Sequence, residues 1–358
     1  MEGRIFDAQV VLSPNNSKRG QLLKNYVCVR ITRMDDVDIA LFERDWNNTL
    51  YYFVLNADEQ IYLRYGGRDA RGPEPYLNLD SIELALAKGL ELHKQYQAGQ
   101  LPKAAKPAPR FPREIPPLVE RTFAHGQCVE CHLIGDFDLQ YKEQTGKLDK
   151  IVDMYRWPDI RTIGIELDVP RGLIVREAKG AVQAAGMKPG DRIAKLDAID
   201  VWTFGDLQYR FGKVPRNASQ VNLAVDRNGT LVPLTVALPP RWWLTDLRFR
   251  QLSVDPRCEF ESRPLTTSEK EKLGLMPTGF AAEVTRIGGF AEMLKVHELK
   301  TGDVVAAVDG VEHDQVANTP DLYIKLRKKA GDTVTLDVVR DGKRIQMPLH
   351  TQRMYFRK

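Results

Sequence analysis

The sequence predicts a multidomain α+β protein, and three observations carry that prediction. Six prolines crowd between Pro102 and Pro117, a motif near residue 190 returns near residue 302, and strand-like and helix-like periodicities alternate on both sides of the proline tract. A chain of 358 residues is long enough for roughly two to four domains. Its hydrophobic fraction of 43% and charged fraction of 28% suit packed cores, not a disordered chain. The net charge of +4 is spread along the chain without a basic stripe, which argues against nucleic acid as a main partner. No apolar run approaches the ~20 residues of a membrane span, so no transmembrane segment is expected.

The first element group lies in residues 1–100. AQVVL, around residues 9–13, and YVCVRIT (26–32) read as strands flanking a short helix, VDIALFERD (37–45) reads as a helix, and LYYFVL with QIYLRY reads as a hairpin around Asn56 to Glu59. A final helix is expected from Asp80, capped by Asp80 and Glu83, with Ile82, Ala85, Leu86, Leu90 and His93 on one face. This order resembles a thioredoxin-like α/β domain. The turn after the first strand reads SPNNSK and holds no Cys-x-x-Cys, and WNNTL lacks the proline that normally precedes the third strand. The resemblance therefore implies a docking or structural module without the thiol active site.

Residues 101–117, LPKAAKPAPRFPREIPP, are expected to form a semi-rigid extended linker, because proline fixes φ and removes a backbone donor. Residues 118–159 follow with the chain's most distinctive stretch, HGQCVECHLIG. Two of only four cysteines, Cys128 and Cys131, stand three apart with His132 directly behind. Cys-x-x-Cys-His is the attachment signature of c-type haem. Thiols one helical turn apart reach two vinyl groups on one porphyrin edge, and the next residue aims its imidazole at the iron. Cys128 and Cys131 are the expected attachment points for one covalent haem c, and His132 the proximal ligand. The sixth position is open to Met154, His125 or His93. Three other readings stay open for the cluster: a zinc or copper site including His125, a redox disulfide, and a plain turn.

The third group begins near residue 160. GMKPGDRIAKLDAIDV (186–201) and ELKTGDVVAAVDGVEH (298–313) match at an offset of 112, pairing Lys188 with Lys300, Gly190 with Gly302, Asp191 with Asp303 and Asp197 with Asp309. Downstream, VDRNGTLVPLTV and VVRDGKRIQMPL each set an Asn-Gly or Asp-Gly hairpin between strands, at an offset of 113. Two copies of one module are expected, over 160–241 and 242–358. An apolar strand, a short Ala-rich helix, Lys-x-Gly-Asp and a further strand resemble the bacterial PDZ domains of high-temperature-requirement proteases. The resemblance implies that an extended peptide adds as a strand beside the second helix of each module. By position, the peptide-binding loop is Ile163, Gly164 and Ile165 in the first copy and Leu247, Arg248 and Phe249 in the second, facing helices at 204–211 and 319–328. The competing reading is a closed packing module whose groove is filled by a neighbouring domain.

Trp242 and Trp243 are expected to fill a seam between domains, Cys28 to be a core thiol in a strand, and Cys258 to sit in a loop. No Ser/His/Asp order, phosphate loop or catalytic carboxylate pair is present, so a classical enzyme is not expected. Taken in order, the thioredoxin-like part, the proline linker, Cys-x-x-Cys-His, the Tyr155-Arg156-Trp157-Pro158 strip and the two repeats resemble a bacterial family of thioredoxin-like/PDZ domain proteins, some of them selenoproteins. The motifs together imply a mono-haem c-type electron carrier or redox sensor that docks a protein or peptide partner and meets a redox partner protein. The alternatives are a non-catalytic adaptor with a metal or disulfide at the cluster, and a thiol-disulfide oxidoreductase. Haem is attached outside the bacterial cytoplasm, so a periplasmic location is expected, with a leader removed before MEGRIF; cytoplasmic residence is the alternative.

Overall fold

A computed structural model describes residues 2–247, 250 and 252–354. By its internal contacts the chain forms two compact units, Met1–Tyr141 with Tyr155–Gln251, and Lys142–Met154 with Leu252–Lys358.

The first unit starts with helices α1 (Glu2–Val11) and α2 (Lys18–Leu23). Residues 9–13 therefore do not form the expected strand. Phe6 and Val10 stand four apart and are both buried, so the apolar run is one face of a helix. The second expected strand, 26–32, is also absent: Val27 is 94% exposed and Val29 78%, since a β-branched run becomes a strand only where a partner strand meets it. Residues 37–45 form turns instead of a helix. There the Asp38 carboxylate accepts from the amides of Ala40, Leu41 and Arg110, offering the backbone an alternative to helical pairing.

The hairpin forms as expected, β1 (Tyr51–Leu55) antiparallel to β2 (Ile61–Gly66). Helix α3 (Leu79–Gln97) closes the group, capped by Asn78, whose side chain accepts from the amides of Asp80 and Ser81; Asp80 itself lies inside the first turn. Phe6, Val10, Val54, Leu63, Ile82, Leu86 and Leu92 form the core between them. Among the described residues of 2–100 the only sheet is this two-stranded hairpin, so the mixed sheet of a thioredoxin-like domain is not formed.

Residues 102–109 have no regular structure and are exposed, as a linker requires. The tract then folds inward: Ile115 and Leu118 are fully buried, and α4 (Pro116–Arg121) begins inside it with prolines in the first turn, where their missing N–H costs nothing. Helix α5 (Cys131–Gln144) follows, then α6 (Lys150–Asp153) in the second unit.

The first repeat contains β3 (Ile165–Leu167), β4 (Val175–Ala178), α7 (Gly180–Ala184), β5 (Arg192–Leu196), β6 (Ile199–Asp200), α8 (Phe204–Phe211), β7 (Gln220–Arg227) and β8 (Thr230–Ala237). Strands β3 and β4 pair with each other, and the others form a sheet in the order β6-β5-β7-β8. The second repeat contains β9 (Phe260–Pro264), α9 (Thr267–Lys272), β10 (Ala282–Ile287), β11 (Val304–Val308), α10 (Pro320–Arg327), β12 (Thr333–Arg340) and β13 (Lys343–His350), in the order β13-β12-β11-β10-β9. All sheet pairings are antiparallel, and the β-rich modules expected of the repeats are present.

The repeated motif has one physical role in both copies. Asp191 accepts from the Lys188 amide at 2.8 Å and pairs with Arg227 at 2.7 Å; Asp303 accepts from the Lys300 amide and pairs with Arg340, both at 2.7 Å. The carboxylate thus closes the turn into β5 or β11 and ties it to the end of β7 or β12, while its arginine holds it below the usual carboxylate range. Asp197 and Asp309 both take left-handed φ and accept from the neighbouring strand, at Asn222 and Thr335.

Candidate functional site: the cysteine cluster and the repeat grooves

The cluster sits on a short loop built on Thr122, whose carbonyl accepts from the amides of His125 and Gln127. Cys128 to Glu130 then run without regular structure into α5, which starts at Cys131. Val129 is buried and its amide donates to Asp35 at 3.2 Å, so the residues on either side, Cys128 and Glu130, are exposed. Cys131 is half-buried, and Arg44 donates to its Sγ at 2.7 Å. The Arg44 guanidinium lies over Trp46 and Tyr51, and Trp46 packs on Gly135 of α5. His132 is half-buried with Nδ1 3.5 Å from the Glu130 carboxylate.

All four cysteines are unbridged. The structure therefore keeps Cys128, Cys131 and His132 together, the two thiols unbridged and at least partly accessible, a donor set that fits covalent haem attachment. Among the described residues no three His, Cys, Asp or Glu side chains group as a metal site. Of the sixth-ligand candidates, His125 is exposed on the same loop. His93 meets the Tyr62 hydroxyl at 2.9 Å through Nδ1, and Met154 is buried in the second unit. Cys28 is exposed instead of buried, because its strand is not formed. Cys258 lies in the irregular stretch before β9 as expected, but buried, and burial pushes its thiol well above the usual range.

In the first repeat Ile163 and Ile165 are buried and Gly164 is left-handed at φ 96°. Its N–H donates back to Arg161 O and its carbonyl accepts from Lys179 N at 2.9 Å. In the second repeat the expected loop is displaced. Leu247 is buried in the first unit, Arg248 and Phe249 lie outside the described residues, and the first strand starts only at Phe260. Glu259, at φ 53°, takes the role of Gly164, with its carbonyl accepting from Gly288 N at 2.7 Å. The corresponding loop is Cys258, Glu259 and Phe260. Trp242 and Trp243 are buried within the first unit, against Phe211 and Tyr155, and so fill its core, not a seam.

The competing reading, a groove filled by a neighbouring domain, named no segment, and the segment that lies on α8 comes from β2 and the turn beyond it. Helix α8 presents Phe204 and Gln208 on one face, and the chain from Arg64 to Asp69 lies along it. Asp206 accepts from Arg64 N at 2.9 Å and Thr203 Oγ1 donates to Arg64 O. Gln208 donates to Arg68 O at 2.6 Å and accepts from Arg68 N at 3.4 Å. Tyr76 stacks on Phe204 with ring centres 3.3 Å apart. Beyond the helix, Asp69 lies 3.6 Å from Arg161 and Arg71 pairs with Glu166 of β3 at 2.8 Å. Asp206 is buried, and desolvation pushes its carboxyl up to about 6 despite those donors.

No family model matches the chain. Among solved structures it is similar to the HtrA-type protease AlgW with a decapeptide (17% identity, 51% of this chain and 50% of that one, TM-score 0.24) and to AlgW with a tripeptide (13%, 47% and 60%, TM-score 0.25). A variant of AlgW with the decapeptide matches at 19% identity over 39% of this chain and 42% of that one, TM-score 0.26. The chain spans about half the length of the solved chains it matches. Among the described residues no helix is long and apolar enough to cross a membrane.

Proposed function

We propose that this chain is a c-type haem protein of an extracytoplasmic compartment, an electron carrier or redox sensor whose PDZ-like modules dock a protein partner. The observation that supports it best is the cluster: two unbridged thiols flanking the inward-anchored Val129, with His132 next in line at the start of α5. In this reading Cys128 and Cys131 would hold the haem through thioether bonds and His132 would offer its imidazole to the iron. Bound haem would supply one-electron chemistry. His125 is the sixth-ligand candidate on the same loop; His93 and Met154 are engaged elsewhere by a tyrosine hydroxyl and by burial. Docking belongs to the second repeat, where β9 is the outer strand of its sheet and α10 lies beside it, the arrangement that strand addition uses.

A second reading has its own observation: Arg44 donates to the Cys131 sulfur, a cation beside a thiol, which suits an adaptor whose cluster works as a dithiol or cross-link. Intact-protein mass after maturation in a haem-attaching host separates the two. The haem reading expects the mass of the chain plus one haem and no alkylation of either cluster thiol; Cys128→Ala with Cys131→Ala returns the bare mass. Unchanged mass with both thiols alkylated overturns it.

A further inference from the structure

We propose that residues Arg64 to Asp69 are an internal ligand of the first repeat, holding its groove closed so that this module docks its own chain and not an outside peptide. The inference rests on the peptide-docking reading of the modules.

The backbone groups of Arg64 and Arg68 make the argument. Both residues have their N–H and C=O taken by side chains of α8 and its cap, from Asp206, Thr203 and Gln208. A helix that merely packed on a strand would offer apolar side chains; here three polar ones are spent on main-chain groups, as in recognition of an extended peptide. Asp206 and Gln208 are buried in doing so, at 7% and 2% exposure. Residues Tyr65 to Asp69 are themselves buried. Gly67 fits because it has no side chain: it is left-handed at φ 125°, and a Cβ there would lie 2.6 Å from the Phe204 ring. Gly205 is constrained from the other side, with a Cβ 2.6 Å from Arg64 O. The segment ends on an anion: the Asp69 carboxylate is buried, receives Arg71 at 2.6 Å and Tyr76 at 3.1 Å, and faces Arg161 of the turn that leads into Ile163 and Gly164. Its far side reaches β3 through Arg71 and Glu166. The α8 side of the groove is therefore occupied by the protein's own chain, which reaches β3 through the Arg71–Glu166 pair.

The test uses the full chain and a labelled synthetic peptide of residues 64–70. Wild type is expected to take up no peptide at the first repeat. Gly67→Val, which cannot fit beside Phe204, is expected to release the segment and bind the peptide at least tenfold more tightly than wild type, and adding Phe204→Ala is expected to remove that gain. Equal uptake by wild type and Gly67→Val overturns the proposal, as does a folded Gly67→Val chain that takes up none. Strand addition at β9 in the same variant, followed separately, tells whether the docking reading has fallen too. Should Gly67→Val not fold, hydrogen exchange on Gln208→Ala decides. At least tenfold faster exchange at Arg64 to Asp69, with the β7–β8 amides unchanged, supports the internal ligand; uniform acceleration or none contradicts it.

Discussion

At the scale of single residues, two positions decide whether the first repeat can form. Gly164 is left-handed, and a Cβ there would lie 1.9 Å from Lys179 O, with rigid backbone on both sides. Gly164→Ala is expected to destabilise the first unit by about 3 kcal/mol. Its counterpart Glu259 already carries a side chain at φ 53°, so Glu259→Gly should change the second unit's stability by less than about 1 kcal/mol, followed by far-UV circular dichroism. All five tryptophans, Trp46, Trp157, Trp202, Trp242 and Trp243, lie in the first unit, so denaturant unfolding followed by their fluorescence reads that unit alone. The second position is Asp206. Its carboxyl is raised from 3.8 to about 6, so between those pH values the unfolded chain loses its proton while the folded chain keeps it. Raising the pH through that window therefore weakens the folded state, by about 3 kcal/mol in all, with no further loss above it. Asp191 and Asp303 are shifted the other way and pull the slope upward at lower pH. The comparison to make is wild type against Asp206→Asn: the falling limb between pH 4 and 6 should vanish in the variant, and an unchanged profile would rule this out.

At the scale of elements, the second unit places a half-buried amine at a helix end. Lys150 donates to Lys325 O at 2.9 Å and to Lys328 O, satisfying last-turn carbonyls of α10 where a cation is favoured. Burial still pulls its pKa down to about 8, so desolvation outweighs that attraction and the nearby Asp255 and Glu143. Lys150→Ala is expected to speed amide exchange in α10 roughly tenfold. Exchange that stays put would mean those carbonyls find other donors at no cost. The same scale shows what sequence can and cannot convey. The repeats were legible because their signals are local: Asp191 bonds three residues back, and Asn228 and Asp341 sit left-handed in the hairpin turns that Asn-Gly and Asp-Gly demand. The strands expected at 9–13 and 26–32 were not, because a β-branched run declares a preference and only a partner realises it. The Phe6 and Val10 spacing was the available signal for α1, hidden under Val10 and Val11 read as strand residues.

At the scale of the molecule, the proline tract proved a weaker divider than its composition suggests. Residues before it, in β2 and the turn beyond, bond to α8 of the first repeat, so the N-terminal part and that repeat share one unit. No local pattern could reveal this, since Arg64 and Asp206 are 142 positions apart. The Cys-x-x-Cys-His spacing stands plainly in the sequence, and the structure adds that the motif lies in the same unit, on a loop anchored by Asp35 and Arg44. The account turns on whether Cys128 and Cys131 carry a porphyrin. The most direct measurement is the absorption spectrum of protein matured in a haem-attaching host, denatured and washed with acidified acetone to strip any loosely held pigment. One haem per chain should stay with the protein and disappear in the Cys128→Ala, Cys131→Ala variant; a colourless wild-type pellet would contradict the account.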